Sequence, residues 1–471
     1  MYQSKHYDVI IVGAGPAGLT TAHEILEATS SSRILIVDKG PPVEKRTCAV
    51  KKGLKCTNCI PCKVVSGPGG AGAFSDGKIF FDRVGGYLED EGDPLTNSQL
   101  IKLVRKYFES LFPEGLPGRV LSPNLSPDLE DRIARSGLTF KTTAPHHLGT
   151  ENCEEFVVRI MADLRKRGVT FLLESNVTKI NPKDDHFLIR ASSADAEHSF
   201  KASNLVLAIG KGGSEWLSKQ MNDLGIEPVK QPSPYVGVRV EAPRKALGQL
   251  TQLGGDPKLY YERGEGTVDR VKTHCFADGG YTIQLNYENG ITLVDGYSYI
   301  CPEKQSPCSS VNILVRTAEN TSYEAWHHLL KAFKLLAREG FPVLQRLGDL
   351  YNIKASTEEQ VLANEVKPTL KSYNLVDINR VFSGRAIKNI IEFLDKLSVV
   401  LPDAIQQDTL LYAPAAEWYV PRYVPSPAIE HRMRPKGFEH LYIVGDGAGL
   451  SQGIVMAATT GIVAGWAIAN E

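Results

Sequence analysis

The sequence has almost no excess of charge of either sign. Lys and Arg total 53 and Asp and Glu total 54 among 471 residues, which gives a formal net charge of −1 at pH 7. A nearly neutral chain has no long-range field that attracts nucleic acid or an anionic membrane surface. We therefore expect no nucleic-acid partner.

Long apolar segments are also missing. The N terminus passes through charged residues into a short apolar run without a signal-peptide pattern. Nowhere does the sequence contain the uninterrupted stretch of about 20 apolar residues that a membrane-spanning helix needs. These absences predict a soluble, cytoplasmic protein with no membrane span.

Cysteine is scarce, and half of it lies in one segment. Eight cysteines in 471 residues are too few for a disulfide-stapled secreted scaffold. Four of them, Cys48, Cys56, Cys59 and Cys62, directly precede the glycine-rich stretch GPGGAGAFSDGK. This clustering indicates a local site.

The first chemistry-bearing motif lies at the start of the chain. In YDVIIVGAGPAGLTTAHEIL (7–26) an apolar strand, a glycine turn and a helical pattern follow one another, and a second strand, SRILIVDKG (32–40), comes next. Gly13, Gly15 and Gly18 would let the backbone and a helix N terminus approach a pyrophosphate. Asp38 ends the second strand, where its carboxylate can accept from a ribose hydroxyl. We predict a dinucleotide site that also includes Pro16, Ala17 and Lys39.

Two later segments favour FAD as the dinucleotide. YIVGDGAG (442–449) resembles the second FAD motif of the glutathione-reductase-type flavoproteins, in which an Asp, here Asp446, meets the ribityl chain. LVLAIGKGG (205–213) resembles the middle motif of the same superfamily, and no second G-x-G-x-x-G marks a dedicated NAD(P)H domain. These resemblances extend the predicted cofactor-binding residues to Val177, Ala208, Gly210, Gly445, Asp446, Gly453 and Ile454.

The chain is most similar to the predicted FAD-utilising dehydrogenases, over nearly its full length. The segments that carry this resemblance are GPPVEKR (40–46), GGAGAFSDGK (69–78), HLGT (147–150), YVGVRVEAP (235–243), HCFADGG (274–280) and GDGAGLSQGI (445–454). The resemblance implies FAD as cofactor and leaves the substrate open. By analogy with related flavoproteins, the cofactor would lie against Gly69, Gly70, Ala71 and Gly72.

The expected fold class is α/β, with a Rossmann-like FAD-binding domain of the glutathione-reductase type and an inserted α+β domain of mainly antiparallel sheet. We expect a discontinuous FAD-binding domain at 1–80, 140–230 and 415–471, and a substrate-covering domain at 81–139 and 231–414. Residues 231–320 alternate aromatic and β-branched residues with turns, which is typical of antiparallel sheet. Helices are expected at 96–112, 150–168 (where Thr150 can cap), 214–224, 323–339 and 384–398. Four separate strands are expected within 169–213, at 169–180, 186–193, 198–204 and 205–213.

The clustered cysteines permit three chemistries. Four thiolates can hold a [4Fe–4S] cluster, four thiolates can hold structural zinc, and NCIPCK (58–63) resembles the GCIPSK of glutathione-reductase-like enzymes, which suggests a redox thiol pair. Nearby lysines would favour thiolates in each case. Cys62 lies seven residues before Gly69, so at most about 25 Å can separate them. We predict a metal site at Cys48, Cys56, Cys59 and Cys62, with redox thiols as the alternative.

Acid–base candidates lie in or beside the family-like segments. A flavin oxidation needs a base near the substrate and a donor near the flavin ring, where reduction places negative charge. The candidates are Asp76, Lys78, His146, His147, His274, Cys275, Glu417 and Arg422. We predict Lys78 and His147 as the catalytic pair, the first for its place in the glycine-rich segment and the second for its place before a helix.

The sequence thus predicts an FAD-dependent oxidoreductase. It would transfer hydride or electrons between flavin and a small, apolar or unsaturated organic molecule, with NAD(P)H or a protein redox partner left open. A flavin monooxygenase is one alternative, and an FAD-bearing electron-transfer or redox-sensor protein is another.

Overall fold

Two large sheets organise the chain in the computed structural model, which describes residues 5–81, 97–264, 268–288, 290–426 and 428–471. Residues 1–4 and 82–96 of the predicted domains, including the expected helix start at 96, lie outside the described residues. Within those residues no helix is long and apolar enough to cross a membrane.

The strands of the described residues, numbered in chain order, are β1 (Lys5–Val12), β2 (Ile34–Val37), β3 (Lys78–Ile79), β4 (Arg119–Val120), β5 (Thr139–Lys141), β6 (His146–His147), β7 (Thr170–Leu172), β8 (Asn176–Pro182), β9 (Phe187–Ser192), β10 (Glu197–Leu207), β11 (Tyr235–Pro243), β12 (Lys258–Arg263), β13 (Asp269–Ala277), β14 (Tyr281–Asn286), β15 (Thr292–Tyr297), β16 (Cys308–Arg316), β17 (Val343–Arg346), β18 (Asn374–Leu375), β19 (Leu410–Glu417) and β20 (Leu441–Ile443). The α-helices are α1 (Pro16–Ala28), α2 (Asn97–Ser110), α3 (Pro127–Ser136), α4 (Thr150–Lys166), α5 (Ser214–Asp223), α6 (Arg244–Leu247), α7 (Glu319–Leu336), α8 (Leu347–Tyr351), α9 (Glu358–Ala363), α10 (Gly384–Val400) and α11 (Ile454–Ala469).

The first sheet is the dinucleotide-binding sheet that the N-terminal pattern predicts. Its strand order is β7-β2-β1-β10-β9-β8, with β20 also paired to β10. The pairs from β7 to β10, and the pair of β10 with β20, are parallel, whereas β8 and β9 form an antiparallel extension. All four residues of β2 are buried, as a parallel strand covered on both faces requires. This arrangement confirms the Rossmann-like α/β class.

The second sheet is the expected inserted sheet. Its order is β18-β17-β19-β11-β16-β13-β12-β5, and every pair is antiparallel except β17 with β18. The helix α10 packs against β16 and α7 packs against β11. A hairpin of β14 and β15 and a small sheet of β3, β6 and β4 lie beside it.

Three local expectations were wrong. The segment 169–180 was expected as one strand, but it is divided into β7 and β8, which lie at opposite ends of the strand order of the first sheet. The segments 198–204 and 205–213 were expected as separate strands, but β10 is one strand of 11 residues. Its first half pairs with β9 and its second half with β20, so the change from polar to apolar residues marks a change of neighbour. Thr150 begins α4 and does not cap it, because its hydroxyl donates to the carbonyl oxygen of Ser75 at 2.6 Å.

The small residues of α11 have a packing reason. This helix lies directly against α1, and a Cβ at Gly461 would overlap the carbonyl oxygen of Ala17. Close contact between the two helices brings the N terminus of α11 to the same side of the first sheet as the N terminus of α1. Both N termini therefore open on one cavity.

Candidate functional site

A single cavity of about 380 Å³ brings the sequence motifs together. Its wall contains the glycine turn after β1, the end of β2, part of the glycine-rich segment and the turn after β10. The start of α11 and the ends of β13 and β19 complete it. The cavity therefore joins the dinucleotide-binding sheet to the antiparallel sheet.

The turn between β1 and α1 leaves room for a ligand backbone. No described atom lies within 4 Å of the position that a Cβ would take at Gly15. Gly13 has a φ of +111°, and a Cβ there would overlap the carbonyl oxygen of Ala208. Gly18 is not among the described residues that line the cavity. A Cβ at Gly18 would overlap the carbonyl oxygen of Gly13, so the missing side chain lets α1 pack closely against the turn. The first two glycines shape the ligand site and the third shapes the packing.

The helices α1 and α11 present uncapped N termini to the cavity. No described side chain caps α1 at Gly15 or α11 at Gly453. Their first backbone N–H groups lack partners within the helix and carry a partial positive charge. Open space at Gly210 and Gly453, where no described atom lies within 4 Å of a Cβ position, continues the space at Gly15. An extended dinucleotide with an anionic centre fits this arrangement.

Asp38 lines the cavity at the end of β2. Its carboxylate accepts from the backbone N–H groups of Ala14 and Gly40, both at 2.8 Å. The carboxylate thereby fixes the glycine turn and keeps further lone pairs for a ribose hydroxyl. Lys39 also lines the cavity, and its ammonium group forms an ion pair with Glu288.

Arg46 holds the glycine-rich segment in place, a role that the sequence analysis did not assign. The buried guanidinium donates to the carbonyl oxygens of Lys63, Val64, Pro68 and Gly70 at 2.5–2.9 Å. Arg46 lies in GPPVEKR, one of the segments that carry the family resemblance, and that position was the one sign in the sequence that Arg46 has a specific role. One side chain therefore fixes the loop that forms a wall of the cavity.

The glycines of this loop have two different roles. Gly70, Ala71 and Gly72 line the cavity, as predicted for residues against the cofactor. Gly69 is not among the described residues that line it, and its N–H donates to the carbonyl oxygen of Ala14 at 2.8 Å. With a φ of +79° and Val157 packed against it, Gly69 joins the loop to the β1–α1 turn.

The middle and C-terminal motifs, together with Val177 of β8, also contribute to the cavity wall. Val177, Ala208, Gly210, Gly445, Asp446, Gly453 and Ile454 all line the cavity. Burial raises the pKa of Asp446 to about 6, although the nearby Lys211 lowers it. Ser451 donates to the Asp446 carboxylate at 3.1 Å. Lys211, which the sequence analysis also missed, lies in the middle motif and lines the same cavity.

The end of the cavity away from the glycine turn carries a row of alternating charges. The ammonium group of Lys258 pairs with Asp256 and lies 3.2 Å from Nδ1 of His274. Nε2 of His274 contacts Oε1 of Glu417, whose Oε2 lies 3.3 Å from Nζ of Lys272. Asp256, His274 and Glu417 line the cavity. The row joins the consecutive strands β12 and β13 to β19, which is distant from them in sequence.

The partners of His274 decide its tautomer. A lysine ammonium group can only donate, so Nδ1 accepts from Lys258 and Nε2–H donates to Glu417. Burial lowers the pKa of His274, while Glu417 acts to raise it. Burial would raise the pKa of Glu417, but His274 and Lys272 hold it well below its usual range. A neutral imidazole therefore donates to a charged carboxylate.

Lys78 and His147, the predicted catalytic pair, are cross-strand neighbours in β3 and β6. Lys78 lines the cavity, and its buried ammonium group lies 2.9 Å from Asp76. Burial acts to lower the pKa of Lys78, but Asp76 and Asp256 raise it. His147 is not among the described lining residues, and burial lowers its pKa to about 4. Its Nε2 lies 3.3 Å from the hydroxyl of Ser298.

Some of the other acid–base candidates line the cavity and some do not. Asp76 and Cys275 line the cavity together with His274 and Glu417. His146 and Arg422 are not among the described lining residues. Nε2 of His146 lies 2.8 Å from the carbonyl oxygen of Pro117, and the guanidinium of Arg422 donates to the carbonyl oxygen of Val424.

The four clustered cysteines do not form the predicted ligand set. Within the described ranges no group of three or more His, Cys, Asp or Glu side chains could hold a metal ion. Cys59 and Cys62 hydrogen-bond to each other, which lowers the pKa of Cys59 to about 6 and raises that of Cys62. Cys56 accepts from the N–H of Asn58 and from the amide of Asn286, and Cys48 is half-buried.

Comparison with known proteins agrees with the dinucleotide assignment. Residues 8–53 match the family of the FAD binding domain. No curated protein sequence matches the chain.

Several solved structures are similar to the chain at a low level. Aklavinone-11 hydroxylase, solved with FAD and aklavinone, is 14% identical, with 99% of this chain and 62% of that chain covered and a TM-score of 0.37. NikD, an amino acid oxidase, is 11% identical, with 99% and 95% covered and a TM-score of 0.40. A flavoprotein/dehydrogenase from Cytophaga hutchinsonii is 10% identical, with 68% and 57% covered and a TM-score of 0.30.

This chain spans about three fifths of the length of the hydroxylase and of the Cytophaga hutchinsonii protein. The family match covers the β1–α1–β2 unit that forms the glycine turn of the cavity. The match and the cavity together support FAD as the cofactor of this part of the chain.

Proposed function

We propose that the chain transfers hydride or electrons between FAD and a small organic substrate that binds at the charged end of the cavity. One observation carries the proposal: the same cavity is lined by dinucleotide motifs at one end and by buried ionisable side chains at the other. When bound, FAD supplies two-electron chemistry. The chain supplies binding, orientation and proton placement.

Residues of the first sheet would hold the cofactor. The N terminus of α1 would bind the pyrophosphate, Asp38 a ribose hydroxyl and Asp446 the ribityl chain. The N terminus of α11 and the Lys78 cation would favour negative charge on the reduced ring. We retain Lys78 in this electrostatic role, since its raised pKa makes it a poor base.

Proton transfer is assigned to His274. It lines the cavity and exchanges hydrogen bonds with Lys258 and Glu417 on either side. It could take up a proton at Nδ1 only when Lys258 moves aside, and Glu417 would stabilise the resulting cation. Glu417 and Lys258 are therefore positioning residues. His147 remains a prediction, and its contact with the β3 strand supports a role in positioning Lys78.

The lining supports the predicted substrate class. Five of the residues that line the cavity are apolar: Phe80, Ile283, Leu285, Leu293 and Val294. The charges of the row are engaged with one another, so they favour a polar reacting atom rather than a strongly charged molecule. We propose a small, largely apolar or unsaturated substrate. We also propose the division into an FAD-binding domain and a substrate-covering domain. The proposed reaction uses no metal ion.

The test is anaerobic reduction of the FAD-loaded protein by small molecules. A panel of alcohols, amines, hydroxy acids and unsaturated compounds, with NADH and NADPH, is mixed with the protein while visible flavin absorbance is followed. We expect at least one organic compound to bleach the flavin and to yield an oxidised product. Bleaching only by NAD(P)H, with an oxygenated product in air, would establish the monooxygenase alternative. Reduction by a protein partner alone would establish an electron-transfer protein.

A further inference from the structure

The segment 48–63, which we call the cysteine loop, presents large apolar side chains to the solvent. Ile60 is 92% exposed and Leu54 is 59% exposed. Leu335, in the last turn of α7, is 86% exposed. Single exposed apolar residues are common on protein surfaces, whereas a group of them marks a surface that another molecule covers. The position of α7 relative to the cysteine loop therefore matters.

Hydrogen bonds hold the cysteine loop against two other segments of the inserted sheet's side of the chain. The side-chain amide of Asn58 donates to the carbonyl oxygen of Glu339, which follows α7, at 3.0 Å. The N–H of Cys56 donates to the hydroxyl of Ser372 at 2.6 Å. These contacts join three segments into one surface, which we call the loop face: 48–63, 331–341 and 368–374.

The loop face is strongly basic, although the whole chain is nearly neutral. Glu339 is the one exposed acidic residue of its three segments. Six exposed cations belong to the same segments: Lys52, Lys55, Lys331, Lys334, Arg338 and Lys371. Positive charge around exposed apolar side chains is complementary to an acidic protein, because the field attracts and orients such a partner while the apolar side chains supply contact area.

The cysteine loop also continues directly into the wall of the cavity. Val64, Val65, Ser66 and Gly67 line the cavity. Ile60 lies four residues before Val64, so at most about 14 Å of extended chain separates the two residues. A protein that contacts Ile60 is therefore near the cavity wall without entering the cavity. This closeness suits a partner that exchanges electrons rather than one that delivers a small molecule.

We propose that the loop face binds an acidic protein that carries one electron at a time, and that this carrier exchanges electrons with FAD. The inference rests on the proposed function, because it names the partner of the same flavin. In one direction, two reduced carriers each lose one electron, and FAD takes up both electrons with two protons from solvent to become FADH2. In the other direction, FADH2 loses two electrons to two oxidised carriers and releases two protons.

The experiment uses a plant-type [2Fe–2S] ferredoxin as the acidic one-electron carrier and cytochrome c as a basic one. Calorimetry measures the Kd of each for the FAD-loaded protein. Reduced ferredoxin, freed of excess reductant, is also mixed with the protein under anaerobic conditions while flavin absorbance is followed. We expect two ferredoxins to reduce one FAD. The rate should fall at least about tenfold between about 0.01 M and about 0.5 M salt, because salt screens exposed charges. Cytochrome c should bind at least about tenfold more weakly than ferredoxin.

Variants locate the binding surface. Lys52→Glu combined with Lys55→Glu should raise the Kd for ferredoxin at least about tenfold, and Ile60→Ser should raise it as well. The matched control is Lys179→Glu combined with Lys201→Glu, which reverses two exposed charges on β8 and β10 and should leave the Kd unchanged. FAD content and flavin reduction by dithionite are measured in every variant, so that a loss of FAD is not mistaken for a loss of the carrier.

The outcomes separate this inference from the proposed function. If ferredoxin reduces the flavin through the loop face but no small organic molecule does, the proposed function fails and the carrier surface remains. Absence of ferredoxin binding, equal binding of cytochrome c, or equal effects of the loop and control variants would each overturn the inference. Loop-dependent binding to vesicles of phosphatidylserine and phosphatidylcholine, without binding to ferredoxin, would also overturn it and assign the loop face to an anionic membrane.

Discussion

The two ends of the cavity are formed by different kinds of chemical group: mainly backbone at one end and charged side chains at the other. At the glycine turn, backbone N–H groups, uncapped helices and missing side chains form the wall, and they come from short continuous segments. At the other end, charged side chains of β12, β13 and β19 face one another, and His274 and Lys272 of β13 meet Glu417 of β19, which is distant in sequence. The first end provides space and fixed dipoles, and the second provides ionisable groups.

This difference separates binding from chemistry. Changes at the glycine turn should act on FAD affinity or on the loop, while changes in the charged row should act on the rate and its pH dependence. Each prediction below tests one side of this separation.

The largest effect is expected for Arg46→Met. The substitution removes the donor that satisfies four buried or partly buried carbonyl oxygens, so we expect the free energy of unfolding of the FAD-free protein to fall by about 3 kcal/mol or more. Urea unfolding measures it. The control is Arg105→Met, because Arg105 forms an exposed helical ion pair with Glu109 worth about 0.5 kcal/mol. Equal losses in the two variants would contradict the role of Arg46.

Gly15→Leu should weaken FAD without unfolding the protein. Gly15 has a φ of −76° and open space at its Cβ position, so the fold tolerates a side chain that fills the ligand space. We expect the Kd for FAD to rise roughly 100-fold, equal to about 2.7 kcal/mol, as measured by titration of FAD-free protein. Gly384→Leu is the matched control, since Gly384 begins α10 with open space away from the cavity. If both variants bind FAD as the wild type does, the glycine turn is not the site.

Glu417→Gln should slow flavin reduction while FAD binding stays unchanged. Removal of a partner that orients a reacting group lowers the reaction rate roughly 10-fold, and we expect this decrease in the rate of flavin reduction. Glu417 acts to raise the pKa of His274, so the limb of the pH–rate profile that belongs to His274 should move to lower pH in the variant. Stopped-flow reduction over a pH series measures both changes. The control is Glu262→Gln, an exposed partner of Arg270. If the pH–rate profile of Glu417→Gln is the same as that of the wild type, Glu417 has only a structural role in its ion pair.

The smallest effect concerns Asp446 and pH. Burial raises the pKa of Asp446 to about 6 in the folded protein, above the ordinary aspartate value of 3.8. Its contribution to stability is therefore complete below about pH 4 and is lost as the pH rises through 6. Across this window the FAD-free wild type should lose about 1–2 kcal/mol of unfolding free energy relative to Asp446→Asn, allowing for partial solvent exposure. A difference in unfolding free energy between the wild type and Asp446→Asn that is the same at every pH would refute this prediction.

Sequence patterns were sufficient for the end built from local segments. The glycine turn and the C-terminal motif each consist of a strand, a turn and a helix that are consecutive in the chain. Asp38 could therefore be selected by its spacing and Asp446 by the resemblance of its motif, and the structure places both at the cavity. A motif found in this way reports backbone geometry, which is determined locally.

The charged row could not be predicted in the same way. Asp256 and Lys258 follow a turn without a recognisable pattern, and only the pairing of β12 with β13 brings them to His274. Arg46 was visible within GPPVEKR, but its carbonyl partners belong to a later loop. The cysteine spacing suggested a ligand set, whereas the positions of the sulfur atoms depend on how Cys56 bonds to Asn286 of a distant hairpin. Long-range contacts decide each case.

A crystal structure of the FAD-loaded protein tests the central claim most directly. The account predicts one FAD per chain, with its pyrophosphate at the turn of Gly15 and its ring beside Gly72 and Ile454, directed toward Lys78 and His274. Protein that takes up no FAD, or FAD bound with its ring away from the charged row, would contradict it.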